Sequence, residues 1–442
     1  MSEVSTLFKE LEQKGAKHHP LFEEAVSAAH SRPAIAVSAP VTVRHAVLLT
    51  GEALDEREAE PVRAFAEENG YSIDLGHRNE VTMSKAGTLL KWERHTEFVS
   101  ITLFDPETQV ADTAKDAFDD IVYRLTSGDR RGELIAKQKI FVVTPESAEQ
   151  LTFHLFPDAP SLVEVGVNAG ANIVQSDLSH SGEEGVIYLV TVSDSPAERV
   201  GRLVQRLLEI ETYRILAYLA VPLTQRFGGE IAGFDRTVNE LALRAAQNPT
   251  PEEEAEILQT LTTLSAELQS LASAAEFRFA ASAAYSRIVD ERLDSMREVR
   301  HTGRSLLSSA VQRRLHPAIR SCQSLLDRQK SLSERISHIT TLLRTRVDLT
   351  LQDQNAQVLR SIDERAHAQL RLQETVEGLS VVAITYYSLG IIGYILKGLT
   401  KIESSINTDL AMAVIAVPLG LLIYFGLHRA RRHATKSGKP KS

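Results

Sequence analysis

The sequence predicts an α+β protein: an N-terminal α/β domain in the cytoplasm, a long antiparallel helical coiled-coil stalk, and a C-terminal two-helix transmembrane hairpin. Three observations carry that reading. Two uncharged apolar runs stand near the C-terminus, long stretches free of proline and glycine precede them, and the N-terminal part mixes strand-like runs with short helices. Composition places an N-terminal helical segment at 1–36, the α/β domain at 37–195 and connecting helices at 196–248. The stalk then covers 249–378, the hairpin 379–427 and a basic tail 428–442.

A chain of 442 residues has room for two or three structural units, and 43% hydrophobic with 24% charged residues suits a folded core. The mean hydropathy of -0.13 averages over strong local extremes. Cys322 is the single cysteine, which excludes an internal disulfide and a cysteine-based zinc site. From Arg429 onward stand six basic residues and no acidic one, so with a whole-chain net charge of -9 the rest carries -15. An acidic body excludes the basic footprint that non-specific nucleic-acid binding needs. The first 15 residues are charged and no apolar run follows them, so no secretory signal is expected and the N-terminus should stay in the cytoplasm.

In the α/β domain, Val41–Leu49 is a β-branched run expected as a strand, and Asp55–Glu68 reads as a helix with Pro61 near its first turn or breaking it. Strand residues fill Thr88–Phe104 and Lys139–Thr144. Ile173–Ser179 and Val186–Val192 read as a hairpin closed by the polar stretch Ser179–Gly185. A helix is expected from about Pro196 to Ala220, ending before Pro222. In the stalk, Pro249 and Pro251 punctuate the chain, and Glu252, Glu253 and Glu254 favour a helix start. Ile257, Leu261, Leu264, Leu268 and Leu271 follow at heptad spacing. A second helical run begins near Pro317 and reaches the membrane, with Ile336, Ile339, Leu343, Val347, Leu351, Val358, Ile362, Leu372 and Val376 on one stripe. Such stripes need partners, so a homo-oligomer is expected.

The hairpin rests on two runs. Between Glu377 and Lys397 lie 19 residues without charge, and between Asp409 and His428 lie 18 more. At about 1.5 Å per residue each approaches one hydrocarbon core of roughly 30 Å. Spans are therefore expected at Leu379–Leu396 and Leu410–Leu427. The tail residues Arg429, Arg431, Arg432, Lys436, Lys439 and Lys441 place the C-terminus inside by the positive-inside rule, and two spans return the N-terminal body to the same side. Ala413, Ala416 and Gly420 form a small-residue face, while Pro418 should kink or loosen the second span. The first span carries Ser380, Thr385, Tyr386, Tyr387 and Ser388, with Gly390 and Gly393 beyond them. One reading makes these hydroxyls pore-lining; the other lets them bond neighbouring helices or their own i-4 carbonyls.

No phosphate loop, dinucleotide fingerprint, zinc-protease motif or nucleophile elbow is present. The suggestive constellation is Lys91–Phe98. As a continuous strand it would place Glu93, His95 and Glu97 on one face, where two carboxylates around an imidazole could hold a divalent cation or transfer a proton. The alternative is a polar sheet face on which the carboxylates pair with His95 or an arginine. His18, His19 and His30 read as surface or capping residues. No cofactor is readable.

Several strings resemble a bacterial family of uncharacterised membrane-anchored proteins, a domain of unknown function of the DUF3422 type. They are His19–Leu21 with His30–Pro33, Lys91–Phe98, Glu211–Arg214, Arg313–Cys322, Leu342–Asp348, and Gln369–Ser380 running into Tyr386 and Tyr387. Ser31 stands where the family would carry alanine. The resemblance covers nearly the whole chain and implies a multi-pass protein of the bacterial inner membrane, without implying an activity. In layout the chain is also similar to magnesium channels of the CorA type. Their Gly-Met-Asn signature is replaced here by Tyr394–Leu399, with Lys397 at the mouth, which speaks against selective cation transport. Three functions are thus expected in descending order: a non-enzymatic oligomeric scaffold or sensor meeting an unknown protein partner at the bilayer, a divalent-cation channel, and a metal-dependent enzyme.

Overall fold

In a computed structural model of the chain, the described residues are 34–50, 59–77, 79–106, 113–126, 132–157, 160–181, 184–399 and 408–437. They divide into two compact units, Met1–Ile339 and Thr340–Ser442. The expected N-terminal helical segment, with His18, His19 and His30, lies outside the described residues, except 34–36, which are non-helical.

The first unit is mixed α/β. In chain order its strands are β1 (Val41–Leu49), β2 (Ser72–His77), β3 (Glu80–Lys85), β4 (Thr88–Arg94), β5 (Phe98–Asp105) and β6 (Glu133–Val143). The remaining strands are β7 (Val163–Val167), β8 (Asn172–Ser176), β9 (His180–Ser181), β10 (Gly185–Val192) and β11 (Val299–Arg300). They form one sheet in the order β11-β7-β8-β10-β6-β1-β5-β4-β3-β2, with β9 beside β10. All pairs are antiparallel except β6 with β10. The helices of this part are α1 (Ala59–Asn69), α2 (Thr113–Thr126), α3 (Pro145–Leu155) and α4 (Ala197–Tyr218).

β1 forms with the bounds its β-branched run predicts, and it lies at the centre of the sheet. The expected helix at 55–68 is described only as α1, and Pro61 sits in its first turn, where a missing N–H is tolerated. The Thr88–Phe104 run divides into β4 and β5, because the chain reverses between Arg94 and Val99. Ahead of it β3 turns into β4 through Ala86 and Gly87, whose φ values of 49° and 85° make the primed two-residue turn that suits a twisted hairpin. The hairpin expected from 173 to 192 is present as the antiparallel pair β8 and β10.

The sheet is covered on both faces. On one, α1 and α2 bury Ala46, Leu48, Leu90, Trp92, Ile101 and Leu103, while α3 packs over Phe141 and Leu189 of β6 and β10. On the other, α4 lays Val200, Leu203, Val204 and Leu207 on Val43, Ile140 and Tyr188. Gly201 permits a close approach there: a Cβ would lie 1.8 Å from the Ile35 carbonyl oxygen. α4 ends at Tyr218, close to the expected bound, and a new helix α5 (Ala220–Ala246) follows with Pro222 in its first turn.

The stretch expected as the start of a stalk folds into this first unit. α6 (Pro251–Ser295) starts at a capping box in which Thr250 and Glu253 exchange side-chain-to-backbone hydrogen bonds. Its seam residues Ile257, Leu261, Leu264 and Leu268 are buried, and α6 packs on α4 and α5. The next helix, α7 (Leu307–Leu399), is unbroken for 93 residues and carries Pro317 within it. Its early stripe of Leu307, Val311, Leu315, Cys322, Leu325, Leu332 and Ile336 is buried. Arg335 reaches Asp235 of α5 at 2.6 Å, and His316 meets Asp290 of α6 at 3.1 Å.

The second unit holds the remainder of α7 and α8 (Thr408–Ser437). Both helices are long and apolar enough to cross a membrane, with 18-residue windows of mean hydropathy 1.8 and 1.6. They pack antiparallel through small residues. Gly393 faces Met412, and Gly420 faces Thr385 one end further along. Ala416 is half-buried, and Pro418 sits inside α8 without ending it. Ser380 and Thr385 donate to the carbonyls of Val376 and Val381 in their own helix, at 2.8 and 2.6 Å. Tyr386 and Tyr387 are exposed and meet edge to face. Ser388 is half-buried, and a Cβ at Gly390 would meet nothing within 4 Å. Arg429 is exposed; the side chains of Arg431, Arg432 and Lys436 and all of Lys439 and Lys441 lie outside the described residues.

Candidate functional site

Strand alternation sends His45 of β1, Thr102 and Ser100 of β5, and Lys91 and Glu93 of β4 to the same face of the sheet, the one α4 covers. Along the register His45 sits opposite Thr102, Thr102 opposite Lys91, and Ser100 opposite Glu93. Polar side chains so placed need partners. The Lys91 ammonium answers two carboxylates, Glu93 at 2.9 Å and Glu80 of β3 at 3.1 Å.

His45 is held between two hydroxyls: its Nδ1 lies 2.8 Å from Thr102 Oγ1, and its Nε2 lies 3.2 Å from Thr212 Oγ1 on α4. Burial, reinforced by the Lys91 charge, lowers its pKa to about 3. The ring is therefore neutral near pH 7, with one nitrogen donating and the other accepting. It acts as a fixed hydrogen-bond bridge between sheet and helix.

Beside this bridge opens a cavity of about 280 Å³. Its sheet wall carries Glu93, His95, Phe98 and Ser100, and its helical wall Gln205, Glu209 and Tyr213 with Arg292 of α6. Gln205 donates to Glu209 at 2.9 Å, and Arg292 closes an ion pair on the same carboxylate. His95 stacks on Phe98 with centroids 4.0 Å apart. Each carboxylate of the cavity thus has a cation behind it, and the walls offer hydroxyls, an amide and aromatic rings.

The structure divides the Glu93/His95/Glu97 face expected from a continuous strand. β4 ends at Arg94, and the His95 N–H donates to the Phe98 carbonyl across the turn. Glu93 and His95 stay at the cavity. Glu97 turns to α6, where it receives both guanidinium nitrogens of Arg278 at 3.1 and 2.8 Å and the Tyr285 hydroxyl at 2.5 Å. Burial and that bond to Glu97 raise the pKa of Tyr285. Among the described residues no group of three His, Cys, Asp or Glu side chains is arranged to hold a metal.

The string Glu211-Thr212-Tyr213-Arg214 supplies the helical side of this network. Thr212 holds His45, and Tyr213 stacks on Tyr285 and meets Phe98 edge-on. Glu211 and Arg214 form a buried fork at 2.7 and 2.9 Å, under the fully buried Tyr188. Burial and the Glu211 charge raise Tyr188, and although burial works against it, Glu211 raises Arg214 as well. His45 was the residue least visible beforehand. Its one signal was an imidazole in a strand otherwise dominated by apolar residues.

The family comparison agrees in extent with this architecture. The model of the family described as "Protein of unknown function (DUF3422)" matches residues 17–434, so the chain belongs to that family. No curated protein matches the chain.

Proposed function

We propose that this protein is a membrane-anchored, non-enzymatic sensor whose α/β body binds a small molecule in the His45–Glu93–Glu209 cavity. One observation carries the reading: α7 is a single helix whose first part is buried in the body and whose last part is an apolar window of mean hydropathy 1.8. A rearrangement of α6 or α7 at the body then has a continuous helix through which to reach the bilayer. The basic residues from Arg429 onward, in the last turns of α8 and after it, favour both ends on the cytoplasmic side, with the loop Lys397–Asp409 outside.

The cavity chemistry supports binding over turnover. Both ring nitrogens of His45 are engaged by hydroxyls, and the cavity carboxylates are already paired with Lys91 and Arg292. The matching ligand is small and rich in hydrogen-bonding groups, with a flat apolar side for Phe98, His95 and Tyr213. Native mass spectrometry of the full-length protein in lipid nanodiscs tests this. Wild type should carry a low-mass adduct that Ser100→Phe, which fills the cavity, loses. Identical spectra for the two remove the sensor reading.

A further inference from the structure

Residues 348–376 of α7 are exposed throughout, yet they carry a complete heptad seam. Leu351, Asn355, Val358, Ile362, Arg365, Gln369, Leu372, Val376 and Leu379 follow one another at alternating steps of four and three. With Leu351 at a d position, Asn355, Ile362, Gln369 and Val376 are the a positions. The apolar members are at least half exposed, from 52% at Leu351 to 72% at Leu379. A stripe of this length on a bare helix needs an occupant.

The charge pattern says which occupant. Every charged residue from Gln352 to Leu379 except Arg365 lies on the outward b, c and f positions: Asp353, Arg360, Asp363, Glu364, Arg371, Glu374 and Glu377. The flanking e and g positions hold Gln352, Gln354, Leu359, Ser361, Ala366, Ala368, Gln373 and Thr375, none of them charged. Charges at e and g set partner choice and orientation, and like charges meeting there oppose self-pairing. Here an identical helix meets no like charge on either flank. Asn355 and Gln369 are polar at a, where two copies in the same register can bond to each other and a slipped register leaves them facing apolar side chains. Arg365 is flanked by Ala366 and Ala368, whose small side chains leave its stem room to run out to water.

We infer that this seam pairs with the same seam of a second copy of this chain, in parallel and in register. The seam itself rests on the residues above; only the parallel direction draws on the membrane reading, since two copies anchored alike point the same way.

The test is disulfide cross-linking of full-length protein in native membranes, in a Cys322→Ser background that removes the single native thiol and keeps a hydroxyl beside Thr224. Val358→Cys and Leu372→Cys lie 14 residues, about 21 Å, apart on the seam. Each should give a dimer band, at least ~tenfold stronger than outward-facing Arg360→Cys and Glu374→Cys. Antiparallel pairing cannot bring both seam positions onto themselves. Bands equal in all four variants, absent from the seam pair, or at a mass other than twice the chain overturn the inference. Repeating the reaction after alkaline carbonate extraction separates the two readings. Seam-phased dimers recovered in the soluble fraction would remove the membrane anchor while leaving the pairing intact.

Discussion

The two faces of the central strands are built from alternate residues of the same segments, yet around the cavity their chemistry differs. From β1, β4 and β5 one face receives Ala46, Leu48, Leu90, Trp92, Ile101 and Leu103, an apolar layer closed by α1 and α2. The other receives His45, Lys91, Glu93, Ser100 and Thr102 among the apolar Val43, Val47 and Phe98, closed by α4 and opening into the cavity. Burying a polar layer gains less than burying an apolar one and demands that each group be answered. The polar groups of the second face are answered by one another and by α4: Lys91 by Glu93 and Glu80, His45 by Thr102 and Thr212.

Five substitutions sharpen or break this contrast, all read by denaturant unfolding of the full-length protein in detergent. The largest loss should come from the apolar face: Trp92→Ala removes a fully packed ring and should cost about 3–5 kcal/mol. A loss below about 1 kcal/mol would mean the layer is not tightly packed. Next, Arg214→Met leaves the Glu211 carboxylate buried without its cation and should cost about 3–4 kcal/mol. The double variant Glu211→Leu, Arg214→Met should recover most of that loss, because the penalty lies in the orphaned charge; no recovery would place it elsewhere. Glu97→Gln weakens the fork to Arg278 and should cost about 1–3 kcal/mol. An unchanged midpoint would show that the turn at 95–97 holds without it.

The last effect is the dependence on pH. An unfolded His45 takes up a proton near pH 6.5, while burial holds the folded ring unprotonated until about pH 3. Between those values the unfolded state binds more protons, so this residue's contribution to stability falls as pH drops from 6.5 toward 3, by roughly 1.4 kcal/mol per unit well below 6.5. His45→Gln should lack that part of the slope, and a slope unchanged from wild type would mean the ring is not buried neutral.

How far the sequence reveals this arrangement differs by element. Val41–Leu49 and the Ile257–Leu268 seam were legible because local periodicity alone decides them. The edge strand β2 and its neighbour β3 were not, since each offers only two alternating apolar residues, Ile73 and Leu75 or Val81 and Met83, and the β2–β3–β4 ladder makes them strands. Glu93 and His95 were visible as chemistry, but the turn after Arg94 that sends Glu97 to Arg278 is set by tertiary pairing across 181 positions of sequence. His45 and Thr212 are separated by 167 positions, which no local pattern connects. On α7 the apolar period recurs along the helix, interrupted at Asn355, Arg365 and Gln369. The period does not tell that the stripe down to Ile336 is covered by this chain's own helices while 348–376 is left bare.

The central claim, a body held at a bilayer by the α7–α8 pair with both ends on one side, is tested most directly by labelling single cysteines with a membrane-impermeant maleimide. In spheroplasts of a Cys322→Ser background, Ser404→Cys in the loop should label at once. Arg226→Cys, on an exposed side chain of α5, should label only after the membrane is permeabilised. Labelling of Arg226→Cys in intact spheroplasts, or protection of Ser404→Cys until lysis, would contradict the account.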